Sequence, residues 1–280
     1  MAKKDHPLNR VRPPLKWAGG KYQVLEQIRK RLPPGNRLIE PFVGSGVVFL
    51  NTRYEHYSLN DVNKDLISFY RILQTDGEKF INYARTFFNP DNNSEDAYYQ
   101  MRATFNSTTD QFLKAALFVY INKHGFNGLC RYNSKGKNNV PFGRYARPYY
   151  PEAELKYFIE RSRHAVFTCD DFSAAMKQAI PGDVVYCDPP YVPLSDTANF
   201  TAYSAGGFNA SEQVELAELA ESLTEQGITV IVSNHYTRFT REIYARATKY
   251  RFDVRRTISR DGANRGLVSE VLAVFKGKES

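Results

Sequence analysis

Val184-Val185-Tyr186-Cys187 is an unbroken apolar run that ends on Asp188-Pro189-Pro190-Tyr191. A short apolar run closed by a turn signal reads as a strand buried on both faces. Two prolines cannot continue a ladder, so the chain must leave the strand end in a stiff, extended turn. That turn projects one carboxylate and one aromatic ring from the carboxyl end of a strand, the edge at which open α/β sheets bind ligands. The pair suits a flat, hydrogen-bonding group such as a nucleobase. Tyr191 can stack on its face. Asp188 and the stiff backbone carbonyls can accept hydrogen bonds from an exocyclic amine and aim its lone pair at an electrophile. Without a strand before it, the same tetrapeptide would read more simply as a Pro-Pro loop with an Asp cap.

The alternation of elements along the chain frames this turn. Strands are expected over 37–40, 57–61, 165–169, 183–187 and 228–232, with helices starting at Val47, at Pro151 and over 211–226, the last with Ser211 as N-cap and Leu216, Leu219 and Leu223 on one face. A helix is expected over 241–248, then strands over 252–259 and 271–275 that pair antiparallel across one loop. Strands separated by helices imply an α/β fold whose sheet is mostly parallel and covered on both faces, with one antiparallel strand near the C-terminus. Residues 64–123 have a helical period through Ile67, Tyr70 and Leu73, and through Phe112, Ala115, Ala116, Val119 and Tyr120. The stretch 125–145, rich in Gly and Asn, reads as a long β-hairpin loop. The predicted organisation is one domain made of 1–62 and 146–280, with an inserted, mostly helical domain at 63–145.

With 280 residues, 42% of them hydrophobic, the chain can bury a core, and no run of 18 apolar residues suggests a membrane span. The polar, basic stretch 1–12 is not expected to be a secretory signal. Cys130, Cys169 and Cys187 are too dispersed for a disulfide framework or a zinc site, the five His residues have no metal-ligand spacing, and a reducing cytoplasm is the expected setting. The net charge is +8, and its distribution says more than its size. From 114 to 150 there are seven cations, Lys114, Lys123, Arg131, Lys135, Lys137, Arg144 and Arg147, and no Asp or Glu. Phe126, Tyr132, Phe142, Tyr145, Tyr149 and Tyr150 are interleaved with them. A solvated basic face needs no such rings, so the segment is expected to meet nucleic acid.

A second constellation points to a small molecule. Gly44-Ser45-Gly46 lies between a strand and a helix, where glycines let a ligand approach backbone amides. Glu40 and Pro41 precede it, and Asp61 sits at the next strand end, where a carboxylate can bind both hydroxyls of a ribose or can serve only as a turn cap. The loop lacks GxxxxGK[ST], so a nucleoside triphosphate is not expected. An adenosine-containing ligand without a pyrophosphate fits better, and S-adenosylmethionine is the obvious one. Lys16-Trp17-Ala18-Gly19-Gly20-Lys21 holds the only Trp of the chain. Its glycines are expected to open a helix whose N-terminus, with Lys21, could bind a carboxylate, although a core Trp beside a turn reads the same way.

Together these pieces resemble the Dam-type DNA adenine methyltransferases: KWAGGK at 16–21, EPFVGSG at 40–46, Asn60-Asp61, the basic block, and CDPPY at 187–191. NGLCRYN at 127–133, VPFGRY at 140–145 and TANFTAY at 197–203 are similar to that family as well. The resemblance implies a Rossmann-like methyltransferase sheet, S-adenosylmethionine as donor with S-adenosylhomocysteine as product, and the amino group of adenine in GATC of double-stranded DNA as acceptor. By resemblance and pattern together, Asp188, Pro189, Pro190 and Tyr191 are the candidate catalytic residues. Trp17, Lys21, Glu40, Phe42, Gly44, Gly46, Asp61, Asp170, Phe172 and Asp188 are the candidates for holding the cofactor, with Asp170, Asp171 and Phe172 flanking its adenine. The candidates for DNA contact are Lys16, Phe126, Asn127, Leu129, Arg131, Asn133, Lys135, Lys137, Pro141, Arg144 and Tyr145. No metal and no membrane partner is expected, and a monomer is.

The target amine lies inside a duplex, so the base must be flipped out, with Phe126 or Asn127 filling the gap. Arg131 is the candidate for a bidentate contact to a guanine edge, with a phosphate contact as its alternative role, while Lys135, Lys137 and Arg144 suit phosphates. No covalent enzyme intermediate is needed, and no Cys is placed as nucleophile. Methylation of RNA or of a protein glutamine would use a similar pocket, but related glutamine enzymes tend toward Asn where this chain has Asp188. A DNA-binding protein without catalysis would not need Gly44, Gly46, Asp61, Asp188 and Tyr191 intact.

Overall fold

The computed structural model describes residues 10–193, 208–255 and 267–277. The stretch 197–203, noted above for its resemblance, and the tail of the strand expected over 252–259 lie outside them. The chain forms two compact units. The first comprises Met1–Leu25, Val43–Arg53 and Asp61–Cys169, and the second Glu26–Phe42, Tyr54–Asn60 and Asp170–Ser280. In chain order the helices are α1 (Leu25–Arg29), α2 (Val47–Leu50), α3 (Lys64–Arg85), α4 (Glu95–Ser107), α5 (Gln111–His124), α6 (Glu152–Ser162), α7 (Phe172–Met176), α8 (Ala210–Glu225) and α9 (Arg238–Ile243). The strands are β1 (Arg37–Glu40), β2 (His56–Asn60), β3 (Ala165–Thr168), β4 (Asp183–Cys187), β5 (Thr229–His235), β6 (Thr248–Arg255) and β7 (Leu267–Phe275).

The second unit carries six strands of the seven-stranded sheet, in the order β2-β1-β4-β5-β7-β6. β1 pairs parallel with β2 and with β4, and β4 with β5. β7 runs antiparallel to β5 on one side and to β6 on the other. The expected mostly parallel sheet with one antiparallel C-terminal strand is therefore what forms. β4 is buried along its whole length, as a central parallel strand must be. Val185, Cys187, Val230 and Val232 from the sheet pack against Leu216, Ala220 and Leu223 of α8 and against Tyr244. Each Val or Leu side chain among them contributes about 1.5–3 kcal/mol on leaving water, before the entropy of ordering it.

The ends of two helices differ from the expected ones, β5 and β7 are longer than expected, and β6 starts earlier. The N-cap of α8 is Asn209, whose side chain accepts from Glu212 N–H while Glu212 reaches back to the cap. Ser211 lies inside the first turn and donates to Asn209 at 2.5 Å, because the capping box needs a Glu three residues on and only Asn209 has one. The helix expected over 241–248 begins and ends earlier: Thr237 and Thr240 cap α9 reciprocally, and Thr248 already starts β6 because 248–255 alternates as a partner of β7.

In the first unit the expected helical block resolves into three helices. Asn63 caps α3 through Asp65 and Leu66 N–H, and α3 bends at Gly77, where φ is +49°. Asn89 and Pro90 start a separate 3-10 turn before α4. Tyr70 of α3 stacks on Phe158 of α6 at 4.7 Å and joins Phe49, Phe69 and Phe167 in an aromatic core. Segment 125–145 is a hairpin only in outline. Two isolated antiparallel bridges, Gly125 to Phe142 and Tyr132 to Asn138, take the place of regular strands. Among the described residues no helix is long and apolar enough to cross a membrane.

Replacing Asn209 by Ala should destabilise the protein by about 1 kcal/mol, the usual worth of an N-cap, whereas Ser211→Ala should change stability by a few tenths. Urea unfolding midpoints of both variants check this, and equal shifts would reinstate Ser211 as the cap.

Candidate active site and nucleic-acid interface

In the first unit Gly44 and Gly46 have φ of +48° and +71°, and Gly46 is the N-cap of α2. A Cβ on Gly44 would lie 2.9 Å from Trp17 Nε1, so only glycine lets the loop rest on the indole. Asp61 fastens the loop from the other side. One of its carboxylate oxygens accepts from Gly44 N–H at 3.0 Å and the other from Asn63 N–H at 2.9 Å. Tyr70 O–H donates to the Gly44 carbonyl at 2.6 Å. Burial raises the Asp61 pKa, and the two amide donors oppose that rise. Each oxygen uses one acceptor position on the backbone and keeps others. Lys21 is buried and donates to the Gly19 carbonyl at 2.5 Å. The glycines after Trp17 do not open a helix as expected. They form turns, with Gly20 N–H on Trp17 O, and α1 begins only at Leu25 with five residues, because two adjacent glycines carry too large an entropic cost for a first helical turn.

In the second unit Asp188-Pro189-Pro190-Tyr191 leaves β4 as expected, and side-chain amides hold it. Gln213 of α8 donates to the Pro190 carbonyl at 2.8 Å, and Asn234 of β5 accepts from Val192 N–H at 3.2 Å. Asn234 also donates to Gln213 at 2.9 Å, so the two amides act as one strut. His235 Nδ1 lies 2.6 Å from the Val192 carbonyl, and its ring meets the Tyr191 ring edge-on at 4.8 Å. Tyr191 O–H donates to Glu270 of β7 at 3.2 Å. Burial first, then the charges of Asp188 and Glu270, push the Tyr191 pKa well up, so its phenol stays neutral. Sequence reasoning missed Gln213, Asn234, His235 and Glu270; polar residues at buried positions of β5 and α8 were the signal.

Elsewhere in that unit, Phe42 stacks on Phe172 at 5.5 Å and meets Phe208 edge-on at 5.4 Å. Asn60 holds the preceding backbone, donating to the Pro41 and Asp170 carbonyls and accepting from Asp170 N–H. Asp170 thus presents an exposed carboxylate beside buried Phe172, while Asp171 is spent as the N-cap of α7. Glu40 is buried at the end of β1. The Cys187 thiol is buried with its pKa pushed up, and that of Cys130 is pushed up to about 11 by burial. Neither is a nucleophile at neutral pH.

The basic segment of the first unit offers fewer uncommitted charges than its composition suggests. Lys114 is paired with Asp65 at 3.1 Å and Arg144 with Glu95 at 2.8 Å. Lys123 is buried, and desolvation and the charge of Lys16 lower its pKa to about 8. Arg131, the candidate for the guanine edge, already spends part of its guanidinium: Nε donates to Asn139 Oδ1 at 2.7 Å and Nη2 to Asn139 O at 2.9 Å. The residue itself is exposed. Asn133 is occupied too, accepting from Lys135 and Lys137 N–H and so tying the hairpin turn. The side chains of Lys135, Lys137 and Arg147 are exposed. Lys16 is drawn into the same site. Asn122 grips its N–H and carbonyl, its stem lies on Gly128, and its Nζ sits 4.4 Å from the centre of the Tyr145 ring. Tyr145 O–H accepts from Asn127 N–H, and Asn127 has φ of +53°. Phe126, Asn127 and Pro141 are exposed, and Leu129 half-buried.

Gly44→Ala should cost about 1–3 kcal/mol, the penalty of forcing a side chain into the left-handed region, and should shift the emission of Trp17, the only tryptophan. Emission spectra and thermal unfolding check this. An unchanged spectrum would mean that the indole does not rest on the loop.

Residues 17–258 match the family model of the D12 class N6 adenine-specific DNA methyltransferases. The chain is similar to the DNA adenine methylase of Escherichia coli K12, 51% identical over 94% of each chain. It is similar also to the DNA adenine methylases of Serratia marcescens, 50% identical over 94% of this chain and 97% of that one, and of Vibrio cholerae, 48% identical over 93% and 95%. A strand-end turn of carboxylate, prolines and tyrosine, a glycine loop fastened by a carboxylate, and a basic hairpin are thus found in a chain that belongs to the D12 class N6 adenine-specific DNA methyltransferases and methylates adenine in DNA.

Proposed function

We propose that the methyl donor is S-adenosylmethionine, that the acceptor is the adenine of GATC in duplex DNA, and that the base is flipped out of the helix to react. The observation that carries the reading is the strut of Gln213 and Asn234, which fixes the Pro190 carbonyl and so the direction in which Asp188 and Tyr191 leave β4. The residues fit the donor. Gly44 and Gly46 turn the loop after β1 with the Trp17 indole against it, Asp61 keeps acceptor positions for ribose hydroxyls, and exposed Asp170, two residues before Phe172, suits an adenine. Trp17, Lys21 and Glu40 complete the donor set. S-adenosylmethionine, when bound, supplies a sulfonium methyl group.

Asp188 and the Pro189 carbonyl accept hydrogen bonds from the amino group of the flipped adenine, which localises the nitrogen lone pair, and Tyr191 stacks on the ring. In a site emptied of water those bonds weigh more than in solution. The nitrogen forms its bond to carbon as the carbon–sulfur bond breaks, and it then releases one proton to solvent. The block 63–145 forms the recognition domain. Phe126 or Asn127 occupies the gap left by the base, Arg131 takes a guanine edge with Lys16 as the next candidate, Leu129 and Pro141 give apolar contacts to base methyls, and Lys135, Lys137 and Asn133 face phosphates, while Arg144 reaches them only by leaving Glu95.

Asp188→Ala should abolish methyl transfer to a GATC duplex at saturating S-adenosylmethionine while the unfolding midpoint stays near that of the parent. Near-normal turnover would remove Asp188 from the chemistry. Changing Lys135 and Lys137 together to Ala should weaken binding to every duplex alike and make log Kd against log salt shallower by about two. A loss confined to one base position would instead make them readers of sequence.

A further inference from the structure

The recognition hairpin has only a short, interrupted ladder, with Asn139 N–H on Arg131 O and Asn133 N–H on Lys137 O near its tip and Phe126 N–H on Pro141 O near its base, and both of its arms are also held from outside. α4 clamps one arm with side chains four residues apart, the spacing that puts them on one helix face. Tyr98 O–H and Arg102 Nη1 both donate to the Val140 carbonyl, at 3.0 and 2.6 Å. Asn106 accepts from Asn138 N–H at 2.8 Å and donates to Asn138 O at 3.0 Å, as a strand neighbour would. The first turn of α3 clamps the other arm: Tyr132 O–H donates to Asp65 Oδ2 at 2.7 Å, and Lys114 holds the opposite oxygen. Between the clamps, Arg131 is bonded to Asn139 and the turn carries Lys135 and Lys137.

We infer that Asn106 of α4 and the Asp65–Tyr132 pair are positioning residues for sequence discrimination: without touching DNA they hold the arms in register, so that the reading side chain meets its base edge without first paying to order the loop. This rests on the reading of the hairpin as the recognition element. The Tyr132–Asn138 bridge is flanked by the bonds of its neighbours, so the N–H and C=O of Asn138 are not used by the partner arm, and the Asn106 side chain satisfies both. The Asp65–Tyr132 bond joins a half-buried phenol to a carboxylate already paired with Lys114. Burial and that carboxylate raise the phenol's pKa, so its proton stays on the donor. A register held at two points is the geometry that a bidentate base contact requires, whereas a phosphate contact tolerates a looser one.

The test is kcat/KM on a GATC duplex and on its single-base variants, with thermal unfolding measured alongside. Tyr132→Phe and Asn106→Ala should each lower kcat/KM on GATC by about three- to tenfold, the worth of one positioning hydrogen bond, and leave the variant duplexes nearly unchanged. Asp65→Asn keeps an acceptor for Tyr132 and should retain more discrimination than Asp65→Ala. An equal loss on all duplexes, or a lowered unfolding midpoint with discrimination intact, would overturn the inference. Arg131→Ala, run in parallel, separates the two levels. If it loses discrimination while Tyr132→Phe and Asn106→Ala keep it, the clamps do not position the reader. If none of the three loses it, the hairpin is not the recognition element.

Discussion

A loop that carries function leaves peptide groups which no helix or ladder satisfies, and in this chain side-chain amides satisfy them. Asn60 bonds the ends of Pro41 and Asp170, Asn122 grips both polar groups of Lys16, Asn106 does the same for Asn138, and Gln213 with Asn234 holds Pro190 and Val192. An amide carries a donor and an acceptor at peptide spacing, so one residue substitutes for one partner strand. The alternative is a bare peptide group away from water, which costs about 1–3 kcal/mol. The candidate site thus stands on loops that behave as though they belonged to the sheet or the helices beside them.

The order of strands and helices was legible because parallel strands buried on both faces need an apolar run, and 184–187 of β4 and 230–232 of β5 supply one. The single antiparallel strand was legible from the lack of a crossover between β6 and β7. What misled was local: a serine placed to look like a cap beside the asparagine that is one, and glycines after Trp17 that make turns instead of a helix. The supporting residues of the candidate site were illegible for another reason. Gln213 and Asn234 are far apart in the chain and meet at 2.9 Å only once α8 packs on β5. No spacing rule encodes such a pair.

The basic segment shows how composition overstates a surface. Seven cations without a carboxylate between them looked like seven free charges, but Asp65 and Glu95 lie outside the window in sequence and beside it in space. Lys123 is turned inward, with its pKa lowered to about 8. A buried cation whose folded pKa lies below its unfolded one makes folding costlier at neutral pH, and that cost is relieved as pH rises from about 8 toward the ordinary lysine range. What is left facing out, Lys135, Lys137 and Arg147 with part of Arg131, is a smaller and better ordered set.

Asp61 shows why a structural and a ligand role need not compete. The plain reading, a turn residue, describes what it does: it accepts from Asn63 N–H and so sets up the cap of α3. Its other oxygen fixes Gly44. Burial alone would push its proton on, and the two amide donors work against that by favouring the charged form. A carboxylate prevented from rotating by two backbone bonds presents its remaining acceptor positions in fixed directions. Binding two neighbouring hydroxyls needs that fixed presentation, since a freely rotating carboxylate would have to give up its rotamers first. The same bonds that make Asp61 look like a turn residue are therefore the ones that fix the acceptor positions on which the proposed ribose contact relies.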